Sequence, residues 1–156
     1  MPIPSASQRV VEAAEAMGLE LDVLEFPEGT KTAADAAAAI GCDVSAIVKS
    51  LVFAVDDVPQ VALVPGDRRL DPAKLAQVAG GSRAEQAPLD VVRDATGYVA
   101  GGTPPFGYAT PLTVWADDAL RRNDKVWAAA GTPTTVFGIN LDVLVEKSGA
   151  VWAELS

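Results

Sequence analysis

With 156 residues, 49% of them apolar, and a formal net charge of −9, the chain has the size and composition of one folded domain, and no run approaches the roughly 20 apolar residues of a membrane helix. That charge argues against wrapping a nucleic acid along a long basic groove, which needs clustered cations, but leaves a local contact open, in which the nucleic acid would be held only by its end. The absence of histidine and the presence of a single cysteine, Cys42, exclude Ser-His-Asp and Cys-His catalysis, His-ligated metals, multi-cysteine zinc sites and an internal disulfide within this sequence.

Chemistry here must use lysine, carboxylates, hydroxyls, backbone N–H groups or groups of the substrate, and neither a cofactor nor a metal is expected. Cys42 reads as a small buried hydrophobe. The opening Met1-Pro2-Ile3-Pro4-Ser5 has no basic region followed by an apolar stretch. No secretory signal is read there, and the expected location is the cytosol.

No repeat or linker divides residues 1–156, which are read as one domain. Ser5 and Gln8 have the spacing of a capping box, and Val10, Ala13, Ala14 and Met17 follow at helical spacing up to Gly18. Leu19, Leu21 and Val23 alternate with acidic residues as in a half-buried strand. Thr32 can cap an Ala-rich helix that stops at Gly41. Ile47 to Val55 reads as a buried strand ended by Asp56-Asp57, with Val61 to Val64 as its hairpin partner. Asp71 followed by Pro72 starts a helix that runs to Gly80-Gly81, and a second short helix fits Pro88 to Asp94. Strands are predicted at Tyr98–Ala100, Leu112–Trp115, Val126–Ala129 and Thr134–Ile139. Asn140 caps a last helix through Val145, and Val151–Ala153 forms a terminal strand. Because strands and helices do not alternate regularly, the predicted class is α+β with a mixed sheet.

Two features stand out. Lys49 lies within the apolar strand, where a lysine is seldom buried without a partner. Either its side chain turns to solvent, or it reaches the edge of a cavity from the face shared with Ile47, Leu51 and Phe53. In the second case it supplies a compact cation for a phosphate or carboxylate. The other feature is Gly101-Gly102-Thr103-Pro104-Pro105-Phe106-Gly107. Glycines allow close backbone approach and prolines stiffen the loop, so its N–H groups can hold a carbonyl oxygen and the charge that develops on it. The bland alternative is a tight turn between strands. Arg68-Arg69 and the cluster Arg121, Arg122 and Lys125 read as solvated surface when each is taken alone.

Taken in order, Ile47 to Phe53, Val64-Pro65-Gly66-Asp67 leading to Leu70-Asp71, and Tyr98 to Gly107 resemble the YbaK/ProX family, free-standing relatives of the editing domain inserted in bacterial prolyl-tRNA synthetase. The resemblance covers nearly the whole chain, and Gly101 and Pro105 fit the family's G-x-x-x-P signature. It implies a single compact domain with a mixed, curved sheet flanked by short helices. The implied activity is hydrolysis of the ester of mischarged tRNA after its release from the synthetase, with no metal and no side-chain nucleophile. Lys49 would help hold the 3′-terminal adenosine, Gly101, Gly102 and Thr103 would orient the scissile carbonyl, and water or a substrate group would attack. Thr30, Thr32, Pro104, Pro105, Phe106, Gly107 and Thr135 are the expected substrate-binding residues, although threonines near helix starts also serve as caps. The expected partners are the 3′ acceptor end of aminoacyl-tRNA and a synthetase, with no DNA and no membrane. The stretch Ala128 to Val136 departs from the family pattern: it lacks the aspartate of the cysteine-editing branch and the histidine of the alanine-editing branch. A non-catalytic module that binds aminoacyl-tRNA or aminoacyl-adenosine, and a hydrolase of another small ester or amide, are the competing readings.

Overall fold

The computed structural model describes residues 3–26 and 32–156. Its centre is the hairpin of β2 (Ile47–Val55) and β3 (Val58–Pro65), joined through Asp56 and Asp57, both at positive φ as a tight two-residue turn requires. Around it lie α1 (Ser5–Ala16), β1 (Val23–Glu25), α2 (Ala33–Ile40), α3 (Pro72–Val78), β4 (Ala84–Gln86) and α4 (Leu89–Thr96). The chain continues through β5 (Val114–Asp117), β6 (Lys125–Ala129), β7 (Thr135–Asn140), α5 (Leu141–Ser148) and β8 (Val151–Ala153). Short 3₁₀ turns cover Val44–Ala46 and Asp118–Arg122. Among the described residues the strands form one mixed sheet in the order β1-β7-β6-β2-β3-β5-β8, with β4 also paired to β2. No described helix is long and apolar enough to cross a membrane.

Alternation along β2 and β3 sorts their side chains onto two covered faces. Val48, Val52, Val61 and Leu63 enter the large core under α1, α4 and α5. Val55, Ala62 and Val64 join a smaller core with Leu75 of α3 on the other face. Ile47 belongs to a third cluster with Ala36 and Ala37 of α2. Lys49 shares the face of these two minor clusters and sits between them. The expected neighbours Leu51 and Phe53 are only half-buried there, because the larger core lies on the opposite face.

Three expected caps form. Thr32 Oγ1 accepts from Asp35 N at 3.1 Å, Asp71 Oδ1 accepts from Ala73 N at 3.0 Å, and Asn140 Oδ1 accepts from Asp142 N at 2.9 Å. Other expectations need correction. The Ser5–Gln8 capping box does not form: Pro4 occupies the cap position without a side-chain bond, and Gln8 Nε2 donates instead to the Ile3 carbonyl at 3.1 Å. The alternating segment from Leu19 becomes a strand only at Val23, where it meets Phe137 of β7. Tyr98–Ala100 is a turn, fixed by Thr96 Oγ1, which accepts from Tyr98 N at 3.0 Å and donates to the Val92 carbonyl at 2.6 Å. Strand β4 was not expected. It exists because the Asp56 carboxylate accepts from Ser82 N and Arg83 N and so delivers Ala84–Gln86 to the edge of β2.

Candidate functional site

A fork in the sheet makes the cavity. On one edge β2 pairs with β6 only at Ile47 and Val48, and with β4 only from Phe53 to Val55. Between these contacts the strand is open, and a cavity of about 280 Å³ lies there. Lys49, Ser50 and Leu51 form one side, Gly101 and Thr103 another, Thr32, Ala33 and Ala36 of α2 a third, and β6 and β7 close it with Trp127, Thr135 and Val136. No carboxylate is among the described residues that line it.

Lys49 takes the second of its two predicted positions, at the cavity edge. Its Nζ donates to the Arg68 carbonyl at 2.6 Å, and it makes no ion pair among the described residues. Burial is the main cause that lowers its pKa; the charge of Arg69 acts in the same direction and Asp67 opposes both. The ammonium thus keeps two donors, and no ion pair among the described residues, beside the cavity.

The glycine loop is anchored by close backbone contact. A Cβ on Gly102 would lie 2.7 Å from Thr132 Cα and 2.9 Å from the Gly131 carbonyl group, and Gly131 N donates to the Gly102 carbonyl at 2.9 Å. Gly101 has φ +84, in the left-handed region open to glycine. Gly102 N donates to the Val99 carbonyl at 3.0 Å, as does Thr103 Oγ1 at 3.1 Å. The N–H groups of Gly101 and Thr103 have no hydrogen-bond partner among the described residues.

Of the expected site residues, Thr32, Lys49, Gly101, Thr103 and Thr135 line the cavity, whereas Gly102, Pro104, Pro105, Phe106 and Gly107 do not. Gly102, Pro104, Pro105 and Phe106 are buried behind the wall, and Gly107 is exposed. Phe106 is 3% exposed and packs on Phe137, Tyr108 Oη donates to the Pro104 carbonyl at 2.8 Å, and Gly107 has room for a Cβ only at 2.8 Å from Ala13 Cβ. Thr30 lies outside the described residues. Thr135 reaches the cavity, but its hydroxyl is saturated. It accepts from Ser7 Oγ at 3.1 Å, pairs with Thr132 Oγ1 at 2.7 Å and donates to the Ala130 carbonyl at 3.1 Å. It therefore shapes the wall with its hydroxyl engaged by Ser7, Thr132 and Ala130.

Sequence reasoning missed Trp127, and it missed Ser50, whose buried hydroxyl has no partner among the described residues. A polar residue next to Lys49 in an apolar strand was the available signal for Ser50. The second basic cluster is engaged internally. Arg122 grips Asp67, Arg121 lies 3.8 Å over the Trp152 ring, and Lys125 lies 4.6 Å over Trp127. Arg68 and Arg69, on the turn that holds Lys49, make no ion pair among the described residues. Cys42 is half-buried and its thiol pKa is raised, chiefly by burial, the reverse of an activated nucleophile.

Residues 27–147 match the family model of the aminoacyl-tRNA editing domain. The chain belongs to that family. This YbaK/ProX-like editing domain is 33% identical over 138 residues to the uncharacterized protein YwhH of Bacillus subtilis (strain 168), covering 87% of each. It is 35% identical over 124 residues to a proline–tRNA ligase of Geobacter sp. (strain M21); the match covers 79% of this chain and 22% of the ligase. A solved structure described as "a putative trans-editing enzyme for prolyl tRNA synthetase" superposes on this editing domain with a TM-score of 0.94 at 40% identity, over 99% of each chain.

Proposed function

We propose that the domain is a trans-acting aminoacyl-tRNA deacylase that takes the 3′ acceptor end of a mischarged tRNA into the forked-sheet cavity. The observation that carries this reading is the pairing of an ammonium without an ion pair, Lys49, with a glycine loop whose Gly101 and Thr103 N–H groups have no partner among the described residues, across a cavity with no carboxylate among its described lining residues. Lys49 holds the terminal adenosine of the acceptor end. The N–H groups of Gly101 and Thr103 hold the carbonyl oxygen, where negative charge develops when a nucleophile adds. Attack falls to water or to a group of the substrate; with water, its oxygen adds to the ester carbon, the tetrahedral species collapses, and the ribose oxygen leaves with the proton that the water gave up. Orientation can supply several kcal/mol of the barrier, up to ~7–11 in favourable cases, and an activated ester asks little more. The likeness to a proline–tRNA ligase favours a synthetase as a working partner.

The test is ester loss from a panel of tRNAs charged with correct or wrong amino acids, in the wild type and in Lys49→Ala. Lys49-dependent hydrolysis of one mischarged species is the expected outcome. Full activity in a folded Lys49→Ala variant would sink the assigned mechanism. The lack of any titratable side chain on the β6–β7 wall of the cavity favours a second reading, a module that binds aminoacyl-adenosine without turnover. Saturable binding with ester loss no faster than the uncatalysed rate would select it.

A further inference from the structure

Among the described residues the Lys49 ammonium makes one hydrogen bond, 2.6 Å to the Arg68 carbonyl, and that carbonyl belongs to an exposed turn. A carbonyl on such a turn orients an ammonium only if the turn itself is fixed. Backbone contacts fix its start: Gly66 N donates to the Ile47 carbonyl at 2.8 Å, and Arg68 N to the Pro65 carbonyl at 3.0 Å. Gly66 is pressed onto the turn before β2, since a Cβ there would lie 2.6 Å from the Val44 carbonyl oxygen.

The rest is held from a distant part of the chain. Arg122 donates from both terminal nitrogens to the two oxygens of Asp67, each at 2.7 Å, and its Nε donates to the Ala119 carbonyl at 2.8 Å. Next to it, Asn123 Nδ2 donates to Ser45 Oγ at 3.0 Å and ties the same segment to the turn before β2. The fork of a guanidinium on a carboxylate fixes distance and angle together, which a lysine cannot do. The contact keeps the Asp67 carboxyl below its ordinary range, with the Arg122 hydrogen bond as the main cause.

We propose that Asp67 and Arg122 are positioning residues of the site: their bidentate pair braces the turn whose Arg68 carbonyl aims the Lys49 ammonium into the cavity. Asp67 is then part of the working apparatus without touching a ligand, and Arg122 is a strut instead of a nucleic-acid contact. An ion pair that only stabilised the surface would leave the ammonium's orientation unchanged when it was cut.

The test reads Lys49 directly. Side-chain NMR of the lysine Cε–Hε groups, with the Lys49 signal identified by its loss in Lys49→Arg, gives two distinct Hε shifts where the ammonium is fixed and one averaged shift where it swings free. Two Hε shifts are expected in the wild type and one in Arg122→Gln and in Asp67→Asn, with backbone amide spectra unchanged away from residues 43–49, 65–69 and 118–123. Arg122→Lys, which keeps the charge and loses the fork, should fall between. Unchanged Lys49 shifts in folded Arg122→Gln would overturn the proposal. Should that variant not fold, Asp67→Asn, a near-isosteric change at the turn, decides the question in the same way. The activity arm rests on the deacylase reading: Arg122→Gln should lower turnover about tenfold, the scale of one weakened charge-assisted contact, and should add nothing in a Lys49→Ala background. An equal loss in both backgrounds would show a role that bypasses Lys49 and would overturn the proposal as well. A wild type without turnover would refute the deacylase reading alone, because the NMR arm needs no substrate.

Discussion

On one side of the cavity the loop around Gly102 is held by backbone pressed against backbone, with no space for a methyl group and with Phe106 packed beneath it. On the other side Lys49 is a long side chain whose direction depends on a surface turn and on an ion pair from a segment more than fifty residues away. The loop is therefore fixed main chain, which on the deacylase reading would need no reorganisation to hold a carbonyl oxygen. The lysine presents a charge whose placement can be tuned without disturbing the core. Rigid and adjustable parts thus face each other, and each is open to a different kind of attack.

The largest effect is expected on the rigid side. Gly102→Ala forces a Cβ against the backbone of Gly131 and Thr132, which cannot give way as a side-chain tip would. Overpacking of this kind costs about 1–3 kcal/mol. Thermal unfolding should show it at roughly 2–4 °C per kcal/mol for a domain of this size. Turnover should drop about a hundredfold if the neighbouring N–H donors move off the carbonyl. An unchanged Tm would mean that the loop yields, and the contrast between the two sides would be gone.

The adjustable side should answer to pH. Burial and the charge of Arg69 lower the Lys49 pKa against the opposing effect of Asp67, so the ammonium loses its proton below the ordinary lysine value of 10.5. Binding of a hydrolysis-resistant amide analogue of aminoacyl-adenosine should fall as pH rises through that depressed value, and Arg69→Ala should move the falling limb to higher pH. A limb that ignores Arg69 would separate Lys49 from ligand binding.

The smallest effect belongs to the turn's own side chains. Arg68→Ala leaves the carbonyl that holds Lys49 in place, so it should weaken tRNA binding only a few-fold. It should also flatten the log-log salt dependence by about 0.7 for each single-strand phosphate that the side chain neutralises. Arg121→Ala, which removes a guanidinium already laid on Trp152, should leave both unchanged. Equal salt slopes in all three proteins would exclude Arg68 as a phosphate ligand.

Local chemistry explains what could be read in advance. The caps at Thr32, Asp71 and Asn140 depend on residues a few positions apart, and the β2–β3 hairpin on β-branched runs around a tight turn. Gln8 and Ser5 had the right spacing too, but Pro4 started the helix one residue early and left the box unmade. Tyr98–Ala100 had strand-like residues, yet Thr96 bonded on both sides of it and turned the chain. Strand β4 had no hydrophobic period of its own and exists because Asp56 captures the chain before it. In the site, Lys49 and the glycine loop were visible as anomalies of composition. The engaged hydroxyl of Thr135 was not, because its partner Ser7 lies 128 residues away in α1.

The sequence by itself determined the chemical repertoire: no histidine, a lone buried-type cysteine, one lysine in an apolar strand, and a glycine-proline loop of family type. It also determined the caps at Thr32, Asp71 and Asn140 and the β2–β3 hairpin, since capping, turn formation and strand propensity act over a few residues. Only the tertiary structure decided that β2 is left open between β6 and β4, that five of the loop's residues do not line the cavity, and that Arg122 serves Asp67. Those outcomes depend on which distant segments compete for the same strand edge, hydroxyl or carboxylate, and that competition is settled by packing in three dimensions.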